Sequence, residues 1–136
     1  MLFTVALVVI LATANVHGIP EEMRELAEML HNTCRDKSGV SEDVLDRAIN
    51  KLEMVDDPNF KCYLKCLMTE MAVMDEAGNI DTEAAISVLP DDIKDKLEPT
   101  FRLCETKVTK ADDACETAYI SYKCVHDNNL EYYMII

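Results

Sequence analysis

The sequence predicts an all-α fold, six helices in one small disulfide-stapled domain, and three observations carry that prediction. Apolar residues recur at three- and four-residue intervals through most of the chain, which places them on one face of a helix. Helix-starting residues punctuate those stretches: Ser41, Asp57 before Pro58, Asp81, Pro90 before Asp91 and Asp92, and an aspartate pair at 112 and 113. Six cysteines, Cys34, Cys62, Cys66, Cys104, Cys115 and Cys124, follow an apolar leader, a pattern of thiols that persists as disulfides in an oxidising compartment.

The leader runs from Leu2 to Ala14 and is interrupted only by Thr4 and Thr13. It has the length of a signal-peptide core and is too short to span a bilayer. Val16 and Gly18 supply the small residues that precede a cleavage site. The expected organisation is therefore a signal peptide at residues 1–18 and one domain of 118 residues at 19–136, secreted into an extracellular fluid. The leader holds no Asp, Glu, Lys or Arg, so the mature chain keeps the net charge of −13. A surface this acidic repels phosphate backbones and anionic headgroups, which disfavours nucleic acid and membrane insertion.

The first helix is read from Pro20 to Cys34, with Met23, Leu26, Ala27 and Leu30 on its apolar face. Ser38 and Gly39 break it, and Ser41 caps a second helix carrying Val44, Leu45, Ala48, Ile49 and Leu52. Asp57 and Pro58 open a third, because proline in the first turn lacks only an N–H that would have been unpaired. Its stripe is Phe60, Tyr63, Leu64, Leu67, Met71 and Met74, and the stretch Glu76 to Asn79 ends it, with Gly78 suited to a left-handed stop. Asp81 caps a short fourth helix running to Leu89. Pro90, Asp91 and Asp92 start a fifth through Ile93, Leu97, Phe101 and Cys104, where Pro99 should kink the helix or delay its regular part. Asp112 or Asp113 opens a sixth through Ala118, Tyr119, Tyr122 and Val125, and a tail from Leu130 to Ile136 follows.

Cys62 and Cys66, four apart, share one helix face, so each reaches another segment rather than its neighbour. Cys115 and Cys124, nine apart, face opposite sides of the sixth helix and should have different partners. Six cysteines allow 15 pairings, and these arguments remove several without choosing one. Zinc is disfavoured, since no CxxC pair occurs and the mature chain offers only His31 and His126 as imidazole ligands. Calcium is rejected at Asp75, Asn79 and Asp81, where Ile80 stands in the glycine position of a calcium loop and Ile86 in that of its bidentate glutamate. No metal or other cofactor is expected. Neither histidine lies in a hydrolase motif and no GxSxG occurs, which argues against an enzyme.

The order of cysteines, with three residues between Cys62 and Cys66 and eight between Cys115 and Cys124, resembles that of insect odorant-binding proteins, the pheromone- and general-odorant-binding family. Three segments share the likeness: Cys62 to Cys66 (CYLKC), Met74 to Asn79 continuing to Leu89 and Pro90, and Asp113 to Tyr119 (DACETAY). The resemblance covers the whole mature chain. It implies pairing of Cys34 with Cys66, Cys62 with Cys115, and Cys104 with Cys124. It also implies six helices around an internal apolar cavity for a small hydrophobic molecule, with no chemistry done on it. The twelve residues after Cys124 match members whose tail folds back as a cavity wall.

Carried over by position, the wall should take Met23, Ala27 and Leu30 from the first helix and Leu67 and Met71 from the third. Ala85, Ile86 and Leu89 follow from the fourth, with Ile93, Leu97 and Phe101 from the fifth. Ala118, Tyr122 and Val125 from the sixth and Met134 and Ile135 from the tail complete it. Among the hydroxyls of Tyr122, Thr100 and Tyr133, Tyr122 is the expected polar contact. Eight methionines suit a pocket that adapts its shape, and no tryptophan is present. A carboxylate on Ile136, bonded near the first cysteine where His31 sits, would form an acid-sensitive latch, since histidine titrates in the physiological range. The resemblance implies an odorant or pheromone carrier that serves an olfactory receptor, as monomer or homodimer, in sensillum lymph or another body fluid. The rival readings are a carrier or scavenger in saliva, haemolymph or reproductive fluid, and an interaction protein with no ligand-sized cavity.

Overall fold

The computed structural model describes residues 21–136. The leader and its cleavage after Gly18 lie outside the described residues. Six helices follow in order: α1 Glu21–Ser38, α2 Glu42–Asn50, α3 Pro58–Glu70, α4 Thr82–Ser87, α5 Asp91–Lys107 and α6 Ala114–Asn128. Regular strands are absent from the described residues, where a single antiparallel bridge joins Met74 to Ile80.

Four of the starts read from the sequence are side-chain caps. Ser41 accepts from the Val44 amide at 3.2 Å, Asp57 from Phe60 at 2.8 Å, Asp81 from Ala84 at 3.0 Å and Asp113 from Cys115 at 2.9 Å. Each satisfies an amide that the first turn of a helix leaves unpaired. Pro90 precedes α5 with no side-chain bond, and Asp91 and Asp92 place carboxylates in its first turn instead. Pro99 sits inside α5 without ending it.

The third helix differs from its sequence reading. It stops at Glu70, well before Gly78. Ala72 turns left-handed at φ +57°, and the amides of Val73 and Met74 both return to the Met68 carbonyl at 2.9 and 3.2 Å. The reversal buries the adjacent side chains Val73 and Met74 to 4% exposure each, which a continuing helix, turning about 100° per residue, would set on different faces. Gly78 is left-handed at φ +87°, but within a tight loop where Asp75 accepts from the Asn79 amide and side chain at 2.8 Å each. A Cβ at Gly78 would come within 3.1 Å of the Ala114 Cβ, so the loop seats directly on the start of α6.

The core lies where α3 packs on α1 and α6. Phe60, Tyr63, Leu64 and Leu67 are fully buried there. The Phe60 ring stacks on Tyr63 at 6.3 Å and meets Tyr119 edge-on at 6.5 Å, while the Tyr119 hydroxyl donates to the Met54 carbonyl at 3.1 Å. Three disulfides tie the elements: Cys34–Cys66 joins α1 to α3, Cys62–Cys115 joins α3 to α6, and Cys104–Cys124 joins α5 to α6. Their Cα separations of 5.5, 4.6 and 5.9 Å lie in the ordinary disulfide range. Cys62 and Cys66 thus reach different helices, as do Cys115 and Cys124.

Candidate functional site: an apolar cavity closed by the tail

A cavity of about 710 Å³ lies between α1, α3, α4, α5, α6 and the tail. Ten of the residues expected at its wall are there: Met23, Ala27, Leu30, Met71, Ala85, Leu89, Phe101, Tyr122, Val125 and Met134. The other six are not. Leu67, Ala118 and Ile135 belong to the main core cluster. Ile86, Ile93 and Leu97 are buried apart from that cluster, in the region where α4 packs on α5.

These six miss the wall for reasons of rotation and depth. On α3 the wall takes Met68 and Met71, three apart, and Leu67 turns into the core. On α6 it takes Thr117, Ser121, Tyr122 and Val125, and Ala118, one position round from Thr117, faces the packed side. On α5 only the second half contributes, through Phe101, Cys104, Glu105 and Val108. Sequence reasoning did not place Leu26, Met68, Val73, Ile80, Val88, Thr117, Ser121 or Ile136 at the wall. Met68 and Ser121 each adjoin a residue expected at the wall, Leu67 and Tyr122, and helical phase is the signal that separates such neighbours.

Most polar groups at the wall have partners within the protein. Lys110 bonds to the Asn79 side chain at 2.9 Å, and Glu70 pairs with Lys37 at 2.9 Å. Thr117 accepts from the Ala111 amide at 2.9 Å, and Ser121 donates to the Thr117 carbonyl at 2.7 Å. Burial pushes the Tyr122 phenol up to about 12, so it remains a neutral donor across physiological pH. Thr100 and Tyr133, the other two hydroxyls considered, are occupied: Thr100 accepts from Asn129 at 3.1 Å, and the Tyr133 hydroxyl meets the Met54 sulfur at 3.3 Å.

The tail closes one side of the cavity. Tyr133 and Ile135 turn into the core, while Met134 and Ile136 face the cavity. Asn129 fastens its root to the Lys96 carbonyl at 3.0 Å, and the His126 ring packs edge-on against Tyr133 at 5.0 Å. Its last residue is held by the Tyr63 hydroxyl, which donates to the Ile136 main-chain oxygen. His31 Nδ1 lies 2.9 Å from the same hydroxyl. A phenol has one proton to give, so the network assigns the hydrogen of this second bond to the histidine. Burial raises the pKa of Tyr63.

A sequence profile of the PBP/GOBP family matches residues 17–128. The chain belongs to the PBP/GOBP family. Among curated relatives of this PBP/GOBP chain, general odorant-binding protein 69a of Drosophila melanogaster is 32% identical over 95 residues, 70% of this chain and 63% of that relative's length. A solved odorant-binding protein of Locusta migratoria superposes with a TM-score of 0.75 at 34% identity, covering 82% of this chain and 84% of its own. Odorant-binding protein 7 of Anopheles gambiae, solved with four disulfide bridges in complex with an azo compound, gives a TM-score of 0.72 at 33% identity, covering 88% and 99%. Among the described residues of this PBP/GOBP chain, no group of three or more His, Cys, Asp or Glu could hold a metal ion. No helix among them is long and apolar enough to cross a membrane.

Proposed function

We propose that the protein is a secreted carrier that takes a small hydrophobic molecule into the cavity and delivers it to an olfactory receptor. The supporting observation is the cavity itself: about 710 Å³ of apolar space inside a shell crossed by three disulfides. Its size is that of a small-molecule site. The Anopheles relative, solved in complex with an azo compound, adds weight to an occupant of this scale. Residues 1–18 act in this reading as the signal peptide, and residues 19–136 as the carrier domain.

Magnitudes favour reversible transport. Burying a chain of about twelve carbons gains roughly 10 kcal/mol, at about 0.8 kcal/mol per methylene. Association and ordering return several kcal/mol, which leaves about the 8 kcal/mol of micromolar binding. Such affinity holds a sparingly soluble molecule in a body fluid and still lets it go.

Acid release is part of the proposal and runs through the His31–Tyr63–Ile136 chain. Acid would act at either end of that chain, on His31 or on the Ile136 carboxylate that the Tyr63 hydroxyl holds. A neutral carboxyl accepts more weakly from Tyr63 than a carboxylate does, and the tail loosens with it.

Displacement of a fluorescent apolar probe from the refolded, disulfide-intact chain tests the whole reading. Medium-chain alcohols, aldehydes, esters and aromatics should displace the probe at micromolar concentration at neutral pH, and less well near about pH 5. Deleting residues 134–136 should abolish that pH difference. Constant affinity across the range would remove acid release, and failure of the folded protein to bind any probe would favour an interaction role over a carrier.

A further inference from the structure

The wall is mostly apolar. Tyr122 comes from the middle of α6, and its hydroxyl has no hydrogen-bond partner among the described residues, whereas Thr117 and Ser121 on the same face are both bonded to main chain. No unpartnered side-chain nitrogen or oxygen among the described residues is sealed from water, so this hydroxyl faces the open space of the cavity, where an acceptor can reach it. That acceptor is water in the empty cavity and an oxygen of the occupant in the filled one.

The surroundings also set the charge of that occupant. Burial alone accounts for the raised pKa of Tyr122, and no charged side chain acts on it. Tyr122 does influence Tyr63 and Tyr133, so it sits toward the tail and its anchor. The charged residues of the wall, Glu70, Glu105 and Lys110, are all exposed, and two of the three are acidic. A carboxylate brought to Tyr122 would leave water for a place where no cation acts on the phenol, an expensive transfer.

We infer that Tyr122 is the specificity-determining residue of the cavity and that it selects neutral ligands with an apolar body and one oxygen acceptor, such as ketones, aldehydes and esters, over fatty acids. The oxygen lies at Tyr122 beside the tail, and the hydrocarbon extends away from it along the methionines and alanines of the wall. A hydrocarbon of the same length fills the space but leaves the hydroxyl unpaired. This inference rests on the carrier reading.

The test uses a medium-chain ketone, the hydrocarbon of equal length and the carboxylate of equal length, each displacing an apolar probe from the full mature chain at neutral pH. In Tyr122→Phe, with its circular dichroism checked against wild type, the ratio of ketone to hydrocarbon affinity should fall about three- to tenfold, the net worth of one hydrogen bond. An unchanged ratio, with both ligands still binding, overturns the role of Tyr122 and leaves the carrier reading standing. Wild-type protein alone tests the charge argument. It should prefer the ketone to the carboxylate by about tenfold or more, in keeping with the desolvation of an unpaired carboxylate. Equal or tighter binding of the carboxylate overturns the selection of neutral ligands. If neither probe nor ligand binds wild type, the carrier reading and this inference fall together.

Discussion

The two sides of α3 and the α4–α5 region are built differently. Around α3, two disulfides leave the helix within one turn, toward α1 and α6, and the aromatic rings of Phe60, Tyr63 and Tyr119 fill the space between. Across the cavity, α4 has six residues, α5 is tied to the rest by Cys104–Cys124 and by Asn129, and Val88 and Leu103 remain 38% and 40% exposed. The α3 region is stapled twice and filled between its staples, whereas the α4–α5 region carries one staple and borders a space that side chains leave open. Disulfides allow this, because cross-links stabilise the shell without requiring that its interior be filled.

Truncation of matched aromatics should separate the two regions most sharply. Phe60→Ala removes a ring enclosed on all sides and should cost about 3 to 5 kcal/mol in urea unfolding. Phe101→Ala removes a ring that already borders open space and should cost roughly 1 to 2 kcal/mol, while shifting ligand preference to longer chains. Equal costs would mean that the cavity is packed as tightly as the core.

Disulfide removal should give the next largest effect. Cys62–Cys115 spans 53 residues and Cys104–Cys124 spans 20. Replacing each pair by alanine should cost about 4 and about 3 kcal/mol by chain entropy. The first should loosen the α3–α6 seam, and the second should weaken probe binding out of proportion to its stability loss.

High pH should give the smallest and latest difference. Burial raises the pKa of Tyr122 from 10.0 to about 12, and those of Tyr63 and Tyr133 also rise. The charged form of a phenol is the deprotonated one, so a raised folded-state pKa gives stability that is whole below the unfolded value and lost as pH climbs through the folded one. Stability should therefore hold to pH 10.0 and decline toward about 12, with phenolate absorbance at these positions appearing together with loss of helical circular dichroism.

Much of this architecture is legible in the sequence because it is written in local chemistry. Ser41, Asp57, Asp81 and Asp113 cap helices through bonds two or three residues long. The end of α3 is not written that way. Met71 and Met74 extend its apolar period, and it is the left-handed turn at Ala72, a residue with no special turn preference, that stops it. The wall is harder still, since Leu67 and Met68 are equally apolar and only the final packing decides which one meets core and which one meets open space. Polarity separates inside from outside, but it does not separate filled from empty.

The alternation along the tail couples its two faces. Met134 and Ile136 cannot leave the cavity as one piece without pulling Tyr133 and Ile135 out of the core between them. Exposing two such side chains costs roughly 3 to 6 kcal/mol, which keeps the open form to about one molecule in a hundred or fewer. Escape of an occupant past the tail is then a local unfolding event, governed by the same contacts that keep the domain folded.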